Sequence, residues 1–440
     1  MCRVCCSSSS SRSLFSAAPQ PPRHRPRRGT AGLPGLPRRL QRDRRGPPEP
    51  PAPGLPRHHL PQPGARPRVL PGHPDAPAGR RADLRCADGR RDAGRAMSRR
   101  SRRSDSSPAA LVVQQSLAQP DATTQYVDSI VDGVAPGVEL LFFSWRSALL
   151  ADYDVLHVHW PELMIRGRSR RHRFLRRRAL DVLLVRLALQ RIPLVRTVHN
   201  LHPHELGPAA ERRSLARIDR ATDLFIRLNP TTVTPGSAPA VTVLHGHYRD
   251  QFARHPLPGS EHGRVLYFGI IRPYKGVVEL MDVFHGVEDD SLSLHVVGSP
   301  SIGQRELVEE RAARDARVHI TLRRVDDAEM VDEIGRAELV VLPYREMHNS
   351  GSILVALSLG RPVLVPRTPA NSALAEEVGG DWVLEYDGDL APEHLASALE
   401  RTRTRPPEGL PALSGRDWDV LGRELKKAYE GAIATKKGSR

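Results

Sequence analysis

The chain has 440 residues and a formal net charge of +16, but the charge is not spread along it. Residues 1–96 hold 20 arginines, no lysine and six acidic residues, a net +14, whereas the other 344 residues hold 46 basic and 44 acidic groups, which excludes nucleic-acid binding as a reading of overall basicity. All four cysteines (Cys2, Cys5, Cys6, Cys86) also fall in this leader, and no run of about 18 apolar residues occurs, so the rest of the chain has no disulfide framework, no thiolate metal site and no membrane span.

The leader, residues 1–107, holds 18 of the chain's 40 prolines before residue 97 and lacks apolar periodicity, as expected of disorder. Three readings stand: a basic tail, an Arg- and Ser-rich targeting peptide, or translated upstream DNA with the true start at Met97. Abundant arginine without lysine is a codon signature and favours the last. About 340 residues then remain, enough for two domains.

After a polar lead-in, Ala110–Val113 begins the first strand. Asp121 is placed to cap a helix through Tyr126 and Ile130 that ends at Gly133. Strands follow at Val138–Phe143 and Asp154–Trp160, a helix at Phe174–Leu189, a strand at Leu194–Val198, a helix at Glu211–Thr222, and strands at Leu224–Leu228 and Val241–Leu244. Alternation of this kind predicts an α/β, doubly wound parallel sheet over 108–250. Residues 251–263 read as a linker. A second series covers 264–415: strands at Arg264–Phe268, Leu292–Val297 and Val318–Leu322 alternate with helices at Val277–His285, Gln304–Arg314 and Ala328–Ala337. Asp417–Ala432 is a closing amphipathic helix within 416–440. Two such domains facing a central cleft place ligands between them.

The second series culminates in Leu339–Pro366. An apolar run through Tyr344 reads as a buried strand broken only by Pro343. A polar loop, a helix from Ser352 to Gly360 and a strand at Pro362–Pro366 follow. Asn349, Ser350, Gly351 and Ser352 stand where the helix begins, with unpaired N–H groups and the positive end of the dipole. A diphosphate suits that place; a self-capped helix with nothing bound is the plain alternative. In the turn after Tyr267–Gly269, Arg272 and Lys275 are two cations able to face the same diphosphate.

Together these features resemble the nucleotide-sugar glycosyltransferases of GT-B fold related to glycosyltransferase family 4. The marks are Gly269, Arg272 and Lys275, an acidic loop about seventy residues later, and Gly360-Arg-Pro-Val363. The resemblance implies two Rossmann-like domains and a donor site at Gly269, Arg272, Lys275, Glu346, Asn349, Ser350, Gly351 and Ser352. It implies no cofactor and no essential metal. The family's two loop glutamates are eight positions apart; here Glu346 stands near the first place and Val355, or Leu354, in the second, which leaves ribose binding without its usual carboxylate. The loop is also similar to that of bacterial exopolysaccharide mannosyltransferases, a hint of GDP-mannose.

In the first series the resemblance gives His199 a contact with the donor sugar. Glu162, Glu205 and His199 are the candidates for handling the acceptor hydroxyl, one of them as general base if the reaction inverts. His159 and His204 are assigned to the acceptor side. The pairs His157/His159, His202/His204 and His245/His247 have chelating spacing, but they are distributed over separate strand ends and lack cysteine, so no metal is expected; a buried, hydrogen-bonded imidazole is the plain reading for His157 and His245. Arg166–Arg191 joins an arginine cluster, with Arg170 and Arg171 within it, to an apolar helix. The arginines suit an anionic lipid or phosphate, and the apolar half suits packing on the sheet.

The expected function is transfer of a hexose from a nucleotide sugar to a glycan or lipid-linked acceptor in exopolysaccharide biosynthesis. The expected setting is cytoplasmic, with peripheral contact with an anionic membrane and no nucleic-acid partner. A nucleotide-sugar epimerase and an inactive sugar-nucleotide-binding partner are the alternatives.

Overall fold

The computed structural model describes residues 110–120, 125–199, 207–345, 347 and 349–438. The leader, the Asp121 cap, His202, His204, Glu205 and Glu346 lie outside the described residues.

The rest builds two six-stranded sheets, parallel throughout, within one compact unit. In the first, β1 (Leu111–Gln115), β2 (Val138–Leu141), β3 (Val155–Val158), β4 (Leu194–Val198), β5 (Leu224–Arg227) and β6 (Ala240–Thr242) are ordered β2-β1-β3-β4-β5-β6. In the second, β7 (Arg264–Phe268), β8 (Ser293–Val297), β9 (Val318–Thr321), β10 (Leu339–Val341), β11 (Val363–Pro366) and β12 (Val383–Tyr386) are ordered β12-β11-β10-β7-β8-β9. These are the two doubly wound sheets that the sequence predicts. Strand order reverses between β1 and β3 in one sheet and between β7 and β10 in the other. Connections leave such a pair of strands in opposite directions, so a crevice opens beyond their C-terminal ends.

The central strands are apolar because helices cover both faces. Leu266, Leu339, Val340 and Val341 are fully buried, each worth ~1.5–3 kcal/mol relative to exposure. Several boundaries differ from the sequence reading. The first strand runs on to Gln115, because the Gln114 side chain and the Gln115 amide oxygen find partners inside. The expected strand around Pro343 stops at Val341, since proline supplies no ladder N–H; Tyr344 N instead donates to Leu342 O at 2.9 Å. Part of the expected linker folds as the Arg249–Phe252 helix, with Phe252 buried in the second core. Pro369–Val378, β12 and Pro392–Thr404 extend the second sheet over a stretch the sequence reading left without elements.

The closing helix, Trp418–Gly438, packs Leu421, Ala428, Tyr429 and Ala432 against Val113, Val155, Val195 and Ile226 of the first sheet. Just before it, Arg416 is 5% exposed and donates to both oxygens of Glu377, at 2.7 and 2.6 Å, and to His245 O at 2.8 Å. One guanidinium thus ties a helix of the second sheet to the segment that leaves the first.

Candidate functional site

The organising feature on the second sheet is the start of the Gly351–Ser358 helix. Ser350 occupies the cap position, yet its side chain makes no cap hydrogen bond. The plain alternative of a self-capped helix therefore does not hold, and the N-terminal amides keep their capacity for an anion. Beside them, Lys275 Nζ donates to Tyr344 Oη at 3.2 Å and lies 4.5 Å from the centre of that ring. Tyr344 Oη in turn donates to Ser352 Oγ, also at 3.2 Å. The phenol has one proton, so this direction leaves the Ser352 hydroxyl proton available to a ligand oxygen.

Two glycines make the approach possible. Gly269 has φ 113°, and a Cβ there would stand 3.6 Å from both Lys275 Nζ and Ser352 Oγ. Gly276 has φ 67°, and a Cβ there would meet Pro343 O at 2.4 Å. The basic turn is further stitched to the loop by Arg345 N donating to Tyr274 O at 3.0 Å. Burial, and then the charge of Arg272, lower the half-buried Lys275 ammonium from its ordinary pKa to about 8. An arriving anion would relieve both effects. Lys275, Gly269 and Ser352 are thus brought together, with Arg272 near enough to act on Lys275. Gly351 lies between this cluster and the first sheet: a Cβ there would come within 3.3 Å of Tyr248 Oη and 3.9 Å of His245 Nε2.

Asn349 is placed differently from the other loop residues. Its Nδ2 donates to His199 O at 2.8 Å and to Val198 O at 3.3 Å, while its Oδ1 accepts from Asn229 Nδ2 at 2.5 Å. The amide is spent on clasping the loop to the ends of β4 and β5.

The first sheet contributes a packed group of rings. His159 and His199 follow β3 and β4, with His159 Nδ1 3.1 Å from His199 Nε2 and His159 Nε2 3.0 Å from Gln115 Oε1. Trp160 stacks on His199 at 4.3 Å, and Tyr126 meets its edge at 4.9 Å. Burial holds both imidazoles well below their ordinary pKa, with neighbouring histidines adding to the effect. Both are therefore neutral in the physiological range. His157 is buried between Tyr429 Oη and Thr197 Oγ1, each at 2.8 Å, as its plain reading requires.

The third pair divides. His245 donates from Nδ1 to Gly246 O at 2.9 Å, near Tyr126, and burial lowers its pKa to about 4. His247 donates from Nε2 to Asp417 Oδ1 at 2.6 Å, at the start of the closing helix. Among the described residues no group of three or more His, Cys, Asp or Glu side chains is arranged to hold a metal ion.

Glu162 lies half-buried in the first turn of the Pro161–Ile165 helix, where its charge acts on Arg196, the ion-pair partner of Asp219. Arg170 and Arg171 are exposed at the start of the Arg170–Gln190 helix. That helix does not bury its whole apolar half. Leu180, Leu183 and Leu187 pack inward, whereas Phe174, Leu175, Val182, Val185 and Leu189 face out, from 54 to 80% exposed. Two cavities lie elsewhere: one of about 470 Å³ beside Asp219 and Gly236, another of about 330 Å³ between β6 and the closing helix. Neither gathers cations and unpaired amides as the helix mouth does.

Sequence reasoning missed Tyr344, Gln115, Tyr126, Trp160 and Tyr248. Tyr344 counts as one more apolar residue in a buried run, and Gln115 sits past the expected strand end. A polar side chain at the C-terminal end of a switch-point strand was the available signal.

Residues 262–404 match the family described as Glycosyl transferases group 1. Two sequences from Xanthomonas campestris pv. campestris, each named GDP-mannose:glycolipid 4-beta-D-mannosyltransferase, are 44% identical over 326 residues, 73% of this chain and 93% of theirs. Among solved structures, the chain is similar to Anabaena HepE in complex with UDP, at 14% identity and TM-score 0.47, covering 74% of this chain and 97% of that one. It is also similar to the catalytic domain of starch synthase IV from Arabidopsis thaliana bound to ADP and acarbose, at 10% identity and TM-score 0.49, covering 74% and 100%.

Proposed function

Since this chain belongs to the group 1 glycosyltransferases, we propose that its donor is GDP-mannose, its acceptor a lipid-linked glycan, and its product a β-mannoside. The observation that carries the reading is the Lys275–Tyr344–Ser352 chain at an uncapped helix mouth, a built cradle for a departing diphosphate. Lys275 and Arg272 balance the charge that grows as the glycosidic bond breaks. Ser352 and the N-terminal amides hold the phosphate oxygens. With that charge met by the chain's own groups, the reading calls for no metal, and activity is expected to survive chelation.

GDP-mannose carries its sugar through an α bond, so a β product requires inversion, and inversion requires a base for the acceptor hydroxyl. His199 suits this role better than Glu162: it is neutral, and the Asn349 clasp brings its backbone to the donor loop, whereas Glu162 faces Arg196. Asn349 then has a positioning role in place of the donor contact implied by the resemblance.

The outward apolar stripe of the Arg170–Gln190 helix, flanked by Arg170, Arg171 and Arg177, suits peripheral contact with the anionic cytoplasmic leaflet, where a lipid-linked acceptor of exopolysaccharide biosynthesis would be reached. No described helix is long and apolar enough to cross a membrane. Sedimentation with phosphatidylglycerol vesicles, but not phosphatidylcholine vesicles, is expected, and serine at Val182 and Val185 should reduce it.

The direct test is incubation with GDP-[14C]mannose and a polyprenyl-linked oligosaccharide in detergent. Labelled lipid should appear with one GDP released per mannose transferred. Equal transfer from UDP-glucose, or no transfer from either donor, would overturn the assignment.

A further inference from the structure

Gln115, at the end of β1, is fully inside the protein at 1% exposed, as is His159 at 2%. The three side chains Gln115, His159 and His199 form a single line of hydrogen bonds from the interior towards the site. Its direction follows from the orientation of the Gln115 amide, whose oxygen faces His159 while its Nε2 is buried without a hydrogen bond. An amide oxygen can only accept, so His159 Nε2 carries the proton it donates to Gln115 Oε1. A neutral His159 then has a bare Nδ1, which must accept, so His199 Nε2 carries the proton between the two rings. His199 Nδ1 is left without a proton and makes no hydrogen bond to a described residue.

We infer that Gln115 is a positioning residue for the reaction: its amide oxygen, acting through His159, holds His199 in the tautomer whose Nδ1 can take the acceptor hydroxyl proton. The inference rests on the inverting reading above. As the acceptor oxygen bonds to the anomeric carbon, the bond from that carbon to the diphosphate breaks and its electron pair leaves with GDP. The hydroxyl proton passes to His199 Nδ1, and the new imidazolium strengthens its Nε2–H bond to His159, as an orienting group does behind any catalytic histidine. Turning the amide over would reverse every donor in the line and put a proton on Nδ1, leaving no base.

Two substitutions and one spectrum decide the matter. Q115L removes the acceptor; kcat should fall by about 10²-fold or more while the dissociation constant for GDP stays within about twofold. Q115E supplies an obligate acceptor and should recover most of the rate that Q115L loses. The acid limb of its rate profile should move up in pH, because a carboxylate favours the charged imidazole that burial, His245, His157 and Arg196 otherwise oppose. In 15N-histidine-labelled wild-type protein, two-bond nitrogen–proton correlations should show His199 with Nε2 protonated and Nδ1 bare. That spectrum needs no substrate, so it stands even if GDP-mannose proves not to be the donor. A protonated Nδ1, a Q115L enzyme with wild-type kcat, or a Q115E enzyme as slow as Q115L would each overturn the inference.

Discussion

The two strand edges that meet at this site solve opposite electrostatic problems. On the second sheet, Lys275, Arg272 and a helix mouth gather positive potential in a half-buried place, and the Lys275 ammonium is kept charged only up to about pH 8. On the first sheet, burial keeps His157, His159 and His199 neutral and spends most of their ring nitrogens on one another or on Gln115, Thr197 and Tyr429. One edge is ready for a double negative charge, the other for a proton. The difference teaches that donor binding and acceptor activation can be perturbed separately, although Asn349 bonds the two edges together.

The largest effect should come from the neutral edge. His199→Ala should lower kcat by about 10²- to 10⁴-fold with little change in GDP affinity, measured by steady-state transfer and calorimetry. An equal loss in both quantities would erase the distinction between the edges. On the cationic edge, Lys275→Met should lower kcat/KM by about 10²- to 10³-fold while the melting temperature holds.

A stability effect follows from the buried histidines. The His157 pKa falls from 6.5 to about 3 on folding, so between these values the unfolded chain binds the extra proton. Stability is therefore present above pH 6.5 and lost as pH falls; at pH 5 His157 alone should cost ~2 kcal/mol, checked by urea unfolding of wild type and His157→Phe at pH 7 and 5. A smaller effect, about tenfold in GDP affinity, is expected for Tyr344→Phe, which keeps the ring under Lys275 but removes the hydroxyl that links it to Ser352.

The same contrast explains what the sequence disclosed. The cationic edge is built from two short stretches, Tyr267–Leu280 and Leu339–Gly360, in which strand, turn and helix follow in order; Lys275 and Ser352 could be paired because each marks a loop at a strand's end. The fold was legible for the same reason, since alternating apolar strands and amphipathic helices repeat twice. The neutral edge draws on β1, β3, β4 and the segment after β6, with Trp418 of the closing helix beside Tyr126. No spacing rule joins Gln115 to His159 across 44 residues, or the closing helix to the first sheet. Asn349 was legible as a loop residue at the site, but its clasp to the carbonyl of His199 depends on how two distant strand ends meet.

The central claim, that the pyrophosphate sits against Lys275 at the mouth of the Gly351–Ser358 helix, is tested most directly by titrating GDP into wild type and Lys275→Met by calorimetry at pH 7 and pH 9. The ammonium exists below about pH 8, and above it Lys275 must take up a proton as the anion binds, so wild-type affinity should fall between the two pH values. Lys275→Met should bind at least about tenfold more weakly at pH 7 and lose this proton uptake. Equal affinities for the two proteins at both pH values would place the diphosphate somewhere else.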